Sequence, residues 1–240
     1  AISDHGNMFG VFEFVAEAYK NKDENGKVKI KPIVGCEFYI TETRHQKTFT
    51  KELKDKRHHQ ILLAKNEVGY KNLIKLTSLG YVEGMYGKYP RIDKELILKY
   101  HEGLIATTCC LGASVPQAIL KKGEAEGENE FKWWLNIFQE DYYVELQRHG
   151  IPEQEKVNEI LLKFAKKYHV KVIASNDSHY IDQKDFNAHD ILLCINTGEK
   201  QSTPALREFS DDDVMTKNKR FAFPNDQFYL KSTEEMQHVF

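Results

Sequence analysis

What this 240-residue chain lacks narrows its class before any motif is read. No apolar run reaches the roughly 18 residues that a membrane-spanning helix requires, and nothing at the start resembles a signal peptide, so the sequence places the chain in the cytoplasm with no membrane partner. Cysteine is scarce: Cys36, Cys109, Cys110 and Cys194 have no disulfide-framework spacing, and the reading is of reduced thiols. Excess positive charge is missing too. With a formal net charge of −2, no global basic field advertises nucleic acid, so any contact with DNA has to be local. No Gly-rich dinucleotide fingerprint or P-loop follows any strand-like run, and there is no internal repeat or low-complexity tract. The chain also opens on "AISDHGNMFG" without a methionine, and Ala1-Ile2 reads as the tail of a strand, so a fragment is expected.

What is present is a core and an alternation. A hydrophobic content of 41% suffices for a packed interior, as one large α/β barrel or two small domains. Strands are expected at 29–40, 58–66, 103–110, 142–147 and 170–175, each rich in β-branched or aromatic residues. Helical spacing of apolar residues fills 8–20, 70–80, 92–100, 130–139, 152–169 and 185–195. Such alternation predicts a parallel α/β fold, with a barrel preferred over an open doubly wound sheet. One irregular stretch, 199–227 with its charge cluster Asp211 to Asp213, reads as a solvated excursion.

The ends of the expected strands carry chemistry. "VIASNDSHY" (172–180) reads as a buried strand running into Asp177 and His179. The other exits offer Asp4 and His5, Glu37, His59, and Cys109 with Cys110. A single His or Cys at a strand end is more often a satisfied core residue or a cap, but successive exits of this kind point to one mouth. Imidazole, carboxylate and thiolate together suit zinc or manganese, whereas an all-oxygen cage would suit calcium or magnesium. If extended geometry continues, Asp177 and His179, two apart, project to one side.

"AISDHGNMFG", "PIVGCEFYI", "HHQILLAKNEVGYKNLIKL", "EGLIATTCCLGASVPQAI" and "SNDSHYIDQKDFNAHDILLCINTG" resemble, in order, the motifs of the PHP (polymerase and histidinol phosphatase) domains that front bacterial replicative DNA polymerase III alpha subunits. The resemblance implies a distorted (β/α)7 barrel over 1–240, its first strand and helix missing, with 228–240 starting the exit toward a polymerase core. It implies His5, Glu37, His59, Cys110, Asp177 and His179 as metal ligands, with Asp177, His179 and Glu37 closest to catalysis. Up to three zinc or manganese ions would occupy the complete site. An H-x-H pair and a nearby acid of the family pattern have no counterpart here, and the chain alone is expected to be inactive.

The function implied is metal-dependent phosphodiester hydrolysis, a 3′-5′ exonuclease, within a DNA-directed DNA polymerase (a nucleotidyltransferase) that meets primer-template DNA and other replicative holoenzyme subunits. Two alternatives remain: a catalytically silent scaffold that docks a proofreading subunit, and a free-standing PHP phosphomonoesterase. Several residues receive the bland reading. His189 and Asp185 pack near the site without ligating, Trp133 and Trp134 divide between core and interface, and Glu145 is structural. Cys36, Cys109 and Cys194 are small buried hydrophobes, and the lysine-rich stretch 47–60 is a solvated loop.

Overall fold

The computed structural model describes residues 1–50, 52–205 and 219–240, so the Asp211 to Asp213 cluster lies outside the described residues. The chain divides into two compact units, one formed by Ala1–Glu145 with Glu159–Ile173, the other by Leu146–Asn158 with Ala174–Phe240. The first unit holds a six-stranded sheet. Its strands are β1 (Gly35–Thr41), β2 (His58–Ala64), β3 (Arg91–Asp93), β4 (Leu104–Thr107), β5 (Tyr142–Leu146) and β6 (Lys171–Ala174), in the spatial order β3-β1-β2-β4-β5-β6. With them run α1 (Val11–Lys20), α2 (Glu67–Val82), α3 (Lys94–Tyr100), α4 (Ser114–Lys122) and α5 (Glu124–Phe138), and α6 (Pro152–Tyr168) belongs to this unit from Glu159 onward. In the second unit are α7 (Phe186–Thr197) and α8 (Thr233–Val239). This is the mixed α/β organisation of a PHP-type fold.

One strand departs from the parallel sheet expected of the alternation. β2 runs antiparallel to both neighbours, pairing Glu37 with Ile61 on one side and Leu62 with Ala106 on the other, whereas β1–β3 and β4–β5 are parallel. Among the described residues no helix separates β1 from β2, and a direct reversal without a crossover leaves only antiparallel pairing. β6 is a second correction. Far from being buried, it is exposed along its length, with Val172 44% and Ile173 36% accessible. Strand β3 and helices α4 and α8 have no counterpart among the expected elements, being three, nine and seven residues long. The strand expected at 29–40 begins only at Gly35.

Local chemistry sets the helix starts. Asn66 caps α2 by accepting from the Gly69 amide at 3.0 Å, and Asp93 caps α3 by accepting from the Leu96 amide at 3.2 Å. Gly69 also allows α2 to lie against the turn at Gly103, because a Cβ there would fall 1.8 Å from the Gly103 carbonyl oxygen. On the other flank, Trp134 is wholly buried and donates to Ser114 Oγ at 3.0 Å, tying α5 to α4, while Trp133 is half-buried. Phe131 meets Tyr142, Phe164 and Tyr168 in the same layer.

The loop between β1 and β2 is fixed by buried charge. Arg44 donates from Nη1 to both Asp93 oxygens at 2.9 Å and from Nε to Glu83 at 2.6 Å. Arg91, fully buried, reaches Asp55 at 2.6 Å and the carbonyls of Gly84 and Gln46, and Asp55 also holds Arg57. Lys47 donates to the Glu83 and Met85 carbonyls at 2.7 and 2.8 Å. The lysine-rich stretch is thus partly a clamp and only partly a solvated loop. Removing one partner of a buried pair leaves an uncompensated charge, so Asp93→Ala should cost about 3–5 kcal/mol, since it also strips the α3 cap. Denaturant unfolding of the variant checks this; a loss below about 1 kcal/mol would mean that the pair is effectively solvated.

Candidate metal centre

The reversal of β2 decides where the ligand types meet. Glu37 is the third residue of β1, His59 the second of β2, and Cys110 follows the end of β4. They do not all stand at strand exits. They gather at the edge toward which β1 and β4 run and from which antiparallel β2 departs, as the Tyr39–His59 pairing and the His59–Ala113 bridge require.

Glu37, His59 and Cys110 each offer one ligand atom, and these atoms all lie within 4.8 Å of one another. His59 Nδ1 stands 2.6 Å from Glu37 Oε1 and 3.6 Å from Cys110 Sγ. His5, bridged to Glu37 through the main chain, brings its Nδ1 to 3.2 Å from the same Oε1, with its side chain 48% exposed. Asp4 contributes main chain: its carbonyl accepts from the Glu37 amide at 3.0 Å.

Two observations test whether a cation fits. Glu37 Oε1 is buried, and two imidazole nitrogens, His59 Nδ1 and His5 Nδ1, converge on it at 2.6 and 3.2 Å, so potential donor atoms of three residues gather at one point. The sulfur–nitrogen spacing of 3.6 Å is close to the roughly 3.5 Å that two such ligands take across a tetrahedral zinc, whereas the 2.6 Å between His59 Nδ1 and Glu37 Oε1 is a hydrogen-bond distance that a bound ion would open. The residues fit a divalent ion. Ionisation supports this too. Burial opposes the Glu37 charge, but His59 and His5 outweigh it and hold the carboxyl well below the usual range. Cys110 is drawn below the ordinary thiol range by the Cys109 thiol, against its own burial and with help from His59, so it leans toward the thiolate that ligates. Cys109 itself is pushed well up by burial, and Cys36 up to about 12 for the same reason.

Cys109 has a left-handed backbone, φ 57°, an uncommon state for a residue with a Cβ. Its amide donates to Thr107 Oγ1 at 3.1 Å, and Thr107 donates in turn to Glu145 Oε2 at 2.5 Å. Glu145 is therefore structural, holding the turn that carries Cys110.

Asp177 and His179 lie in the second unit. Extended geometry does not continue through them, for Asp177 has φ 46°. Their heads meet nonetheless, His179 Nδ1 lying 3.9 Å from Asp177 Oδ1 and 2.7 Å from the Asp177 carbonyl oxygen. Donation to that carbonyl fixes the ring tautomer and assigns any ligation to Nε2. His189 packs edge-on to His179 at 5.7 Å, and Phe223 stands 4.7 Å from each ring, in keeping with a packing role; Asp185 sits in the turn capped by Asp182. Beyond α7, Arg220 is buried and grips Asp190 through two hydrogen bonds at 2.5 and 2.9 Å, so this residue of the expected excursion is not solvated.

Sequence reasoning passed over His149. It is buried, donates from Nε2 to the Asn176 carbonyl at 2.9 Å, accepts at Nδ1 from Gln154 at 2.9 Å, and stacks on Phe228 at 3.9 Å. Burial lowers its pKa, so it stays neutral and anchors the segment entering Asp177. "QRHGIPEQ" holds the pair five residues apart, but nothing in that spacing reveals burial.

The chain belongs to the PHP domain family, whose pattern matches residues 1–149 and so takes in Glu37, His59 and Cys110. Longer bacterial proteins extend the similarity over the whole chain. The DNA polymerase III subunit alpha of Borreliella burgdorferi is 43% identical over 240 residues, 100% of this chain and 19% of that protein. The protein of the same name from Thermus aquaticus is 42% identical over 238 residues, 99% of this chain and 18% of its own length, and that of Aquifex aeolicus 41% over 239 residues, 97% and 19%. The chain thus spans about a fifth of the length of the relatives it matches. Among the described residues, no helix is long and apolar enough to cross a membrane.

Substituting the soft ligand tests the cluster without reference to turnover. Cys110→Ser should weaken zinc binding by at least about tenfold while changing manganese binding much less, because only the soft cation gains from thiolate. Chelator competition measures both, and unchanged zinc binding would show that Cys110 does not ligate.

Proposed function

We propose that this chain is the PHP domain of a bacterial replicative DNA polymerase and, within the complete protein, hydrolyses phosphodiesters at a DNA 3′ end with zinc or manganese bound. The observation that carries the reading is the donor triangle of Glu37, His59 and Cys110, whose ligand atoms lie within 4.8 Å of one another. In this reading His5, Asp177 and His179 complete the ligand set, and up to three ions are held. When bound, the ions supply Lewis acidity and lower the pKa of water, the chemistry that phosphodiester hydrolysis at neutral pH needs. The residues do the rest. Glu37 brings negative charge at a buried point, Cys110 and His59 select a borderline cation, and the Asp177 carbonyl holds the His179 ring in one tautomer.

The relatives' name supports the wider assignment: a nucleotidyltransferase of the cytoplasm that meets primer-template DNA and other holoenzyme subunits. The free-standing phosphomonoesterase fits less well, because the similarity is to proteins about five times longer than this chain.

In the complete protein, Asp177→Asn should lower metal-dependent 3′-end cleavage by more than about 100-fold while leaving polymerisation intact, since an amide binds divalent ions far more weakly than a carboxylate. The assay is release of labelled nucleotide from a single-stranded 3′ end with any separate proofreading subunit excluded. Unchanged cleavage would sink the hydrolytic reading, and no cleavage in the unmutated protein would favour the silent scaffold.

A further inference from the structure

Beside the metal centre stands a short turn that neither the family match nor the ligand set accounts for. Residues 86–89, Tyr-Gly-Lys-Tyr, form a two-residue hairpin in which Tyr86 and Tyr89 exchange backbone hydrogen bonds at 3.1 and 3.0 Å. Gly87 takes φ 58° at its first central position, as such hairpins require. The turn is held from below. Tyr86 lies 4.7 Å from Phe49 and 5.1 Å from the buried Arg91 guanidinium, and Lys47 binds the chain just before it at Glu83 and Met85.

Its other flank touches the site. The Tyr89 ring lies 5.1 Å edge-on to Tyr39, and Tyr39 in turn lies 5.5 Å from His59 and 6.4 Å from His5. Gly6, next to His5, sits so close to the end of the turn that a Cβ would fall 2.7 Å from Pro90. Two ring contacts therefore connect the turn to a ligand of the cluster. Two cations stand on Tyr89, and they differ. Arg57, 3.7 Å over the ring, is committed to Asp55 and nearly buried. Lys88, 5.6 Å from the ring, is exposed at the tip and forms no ion pair among the described residues.

We propose that the Tyr86–Tyr89 turn is the strand-binding rim of the metal centre, with Lys88 taking a backbone phosphate of a single-stranded nucleic acid whose 3′ end enters beside Tyr39. A small phosphoester has its only phosphate at the cluster and gains nothing from a cation two rings away. A polynucleotide presents a further phosphate there, and a rigid turn offers the charge without reordering. The proposal rests on the hydrolytic reading above and names its substrate class.

In the complete protein, Lys88→Glu should raise KM for a single-stranded oligonucleotide about tenfold with kcat unchanged, and leave hydrolysis of bis-p-nitrophenyl phosphate unaltered. Lys88→Arg should restore KM, and Lys88→Gln should reduce the salt slope of binding by about 0.7, one phosphate contact on a single strand. An unchanged KM in Lys88→Glu, or an equal loss on the small ester, overturns the proposal. A second measurement is independent of turnover: an oligonucleotide carrying 4-thiothymidine one nucleotide in from its 3′ end should photo-cross-link to the peptide containing Tyr86–Tyr89, and Lys88→Glu should abolish that product. Cross-linking without any hydrolysis would refute the hydrolytic reading and leave the rim standing. Hydrolysis without this cross-link would refute the rim alone, and absence of both would refute the two together.

Discussion

A carboxylate withdrawn from water into a sheet must be balanced, and the centre of this structure is the balance struck at Glu37. Burial opposes its charge; His59 and His5 supply the opposing field, and the main chain on either side is pinned by Asp4 and Gly6, whose bonds to the Glu37 amide and carbonyl are 3.0 and 2.7 Å long. That arrangement draws in its surroundings. His59 can face Glu37 only because β2 is reversed, and Cys110 can join them only because the left-handed Cys109 turns the chain after β4. The same logic of buried charge governs the neighbouring loop, where Arg44 and Arg91 are neutralised by Asp93 and Asp55.

Much of this was legible in the sequence, for identifiable reasons. Strands β2, β5 and β6 and helices α6 and α7 fall within a residue or two of where alternation and helical spacing place them, because long or strongly patterned segments report their own geometry. Strand direction left no local trace. Nothing in "HHQILLA" distinguishes a parallel from an antiparallel strand, since either buries alternate residues. β3 escaped notice because three residues form no pattern, and the exposure of β6 because Val172 and Ile173 look like core wherever they stand.

For the candidate site, residue type was informative and conformation was not. Glu37, His59 and Cys110 were identifiable as ligand-type residues, yet the reason for their meeting, an antiparallel strand rather than a ring of strand exits, was invisible. Likewise the heads of Asp177 and His179 stand 3.9 Å apart on a backbone that is not extended, because Asp177 itself is left-handed. His149 shows the complementary failure: a histidine with both ring nitrogens engaged and a phenylalanine on its face looks, in sequence, like any surface histidine.

The hairpin of β1 and β2 has a kinetic meaning as well as a geometric one. Because the two strands are consecutive and directly joined, the carboxylate and the imidazole at the heart of the cluster are neighbours in a local contact, and bringing them together closes only the loop held by Arg44 and Arg91. Local contacts form early, before long-range pairings are rewarded. Two of the three ligands of the triangle are therefore brought together by the hairpin itself, and the thiol from beyond β4 arrives at a partly made nest.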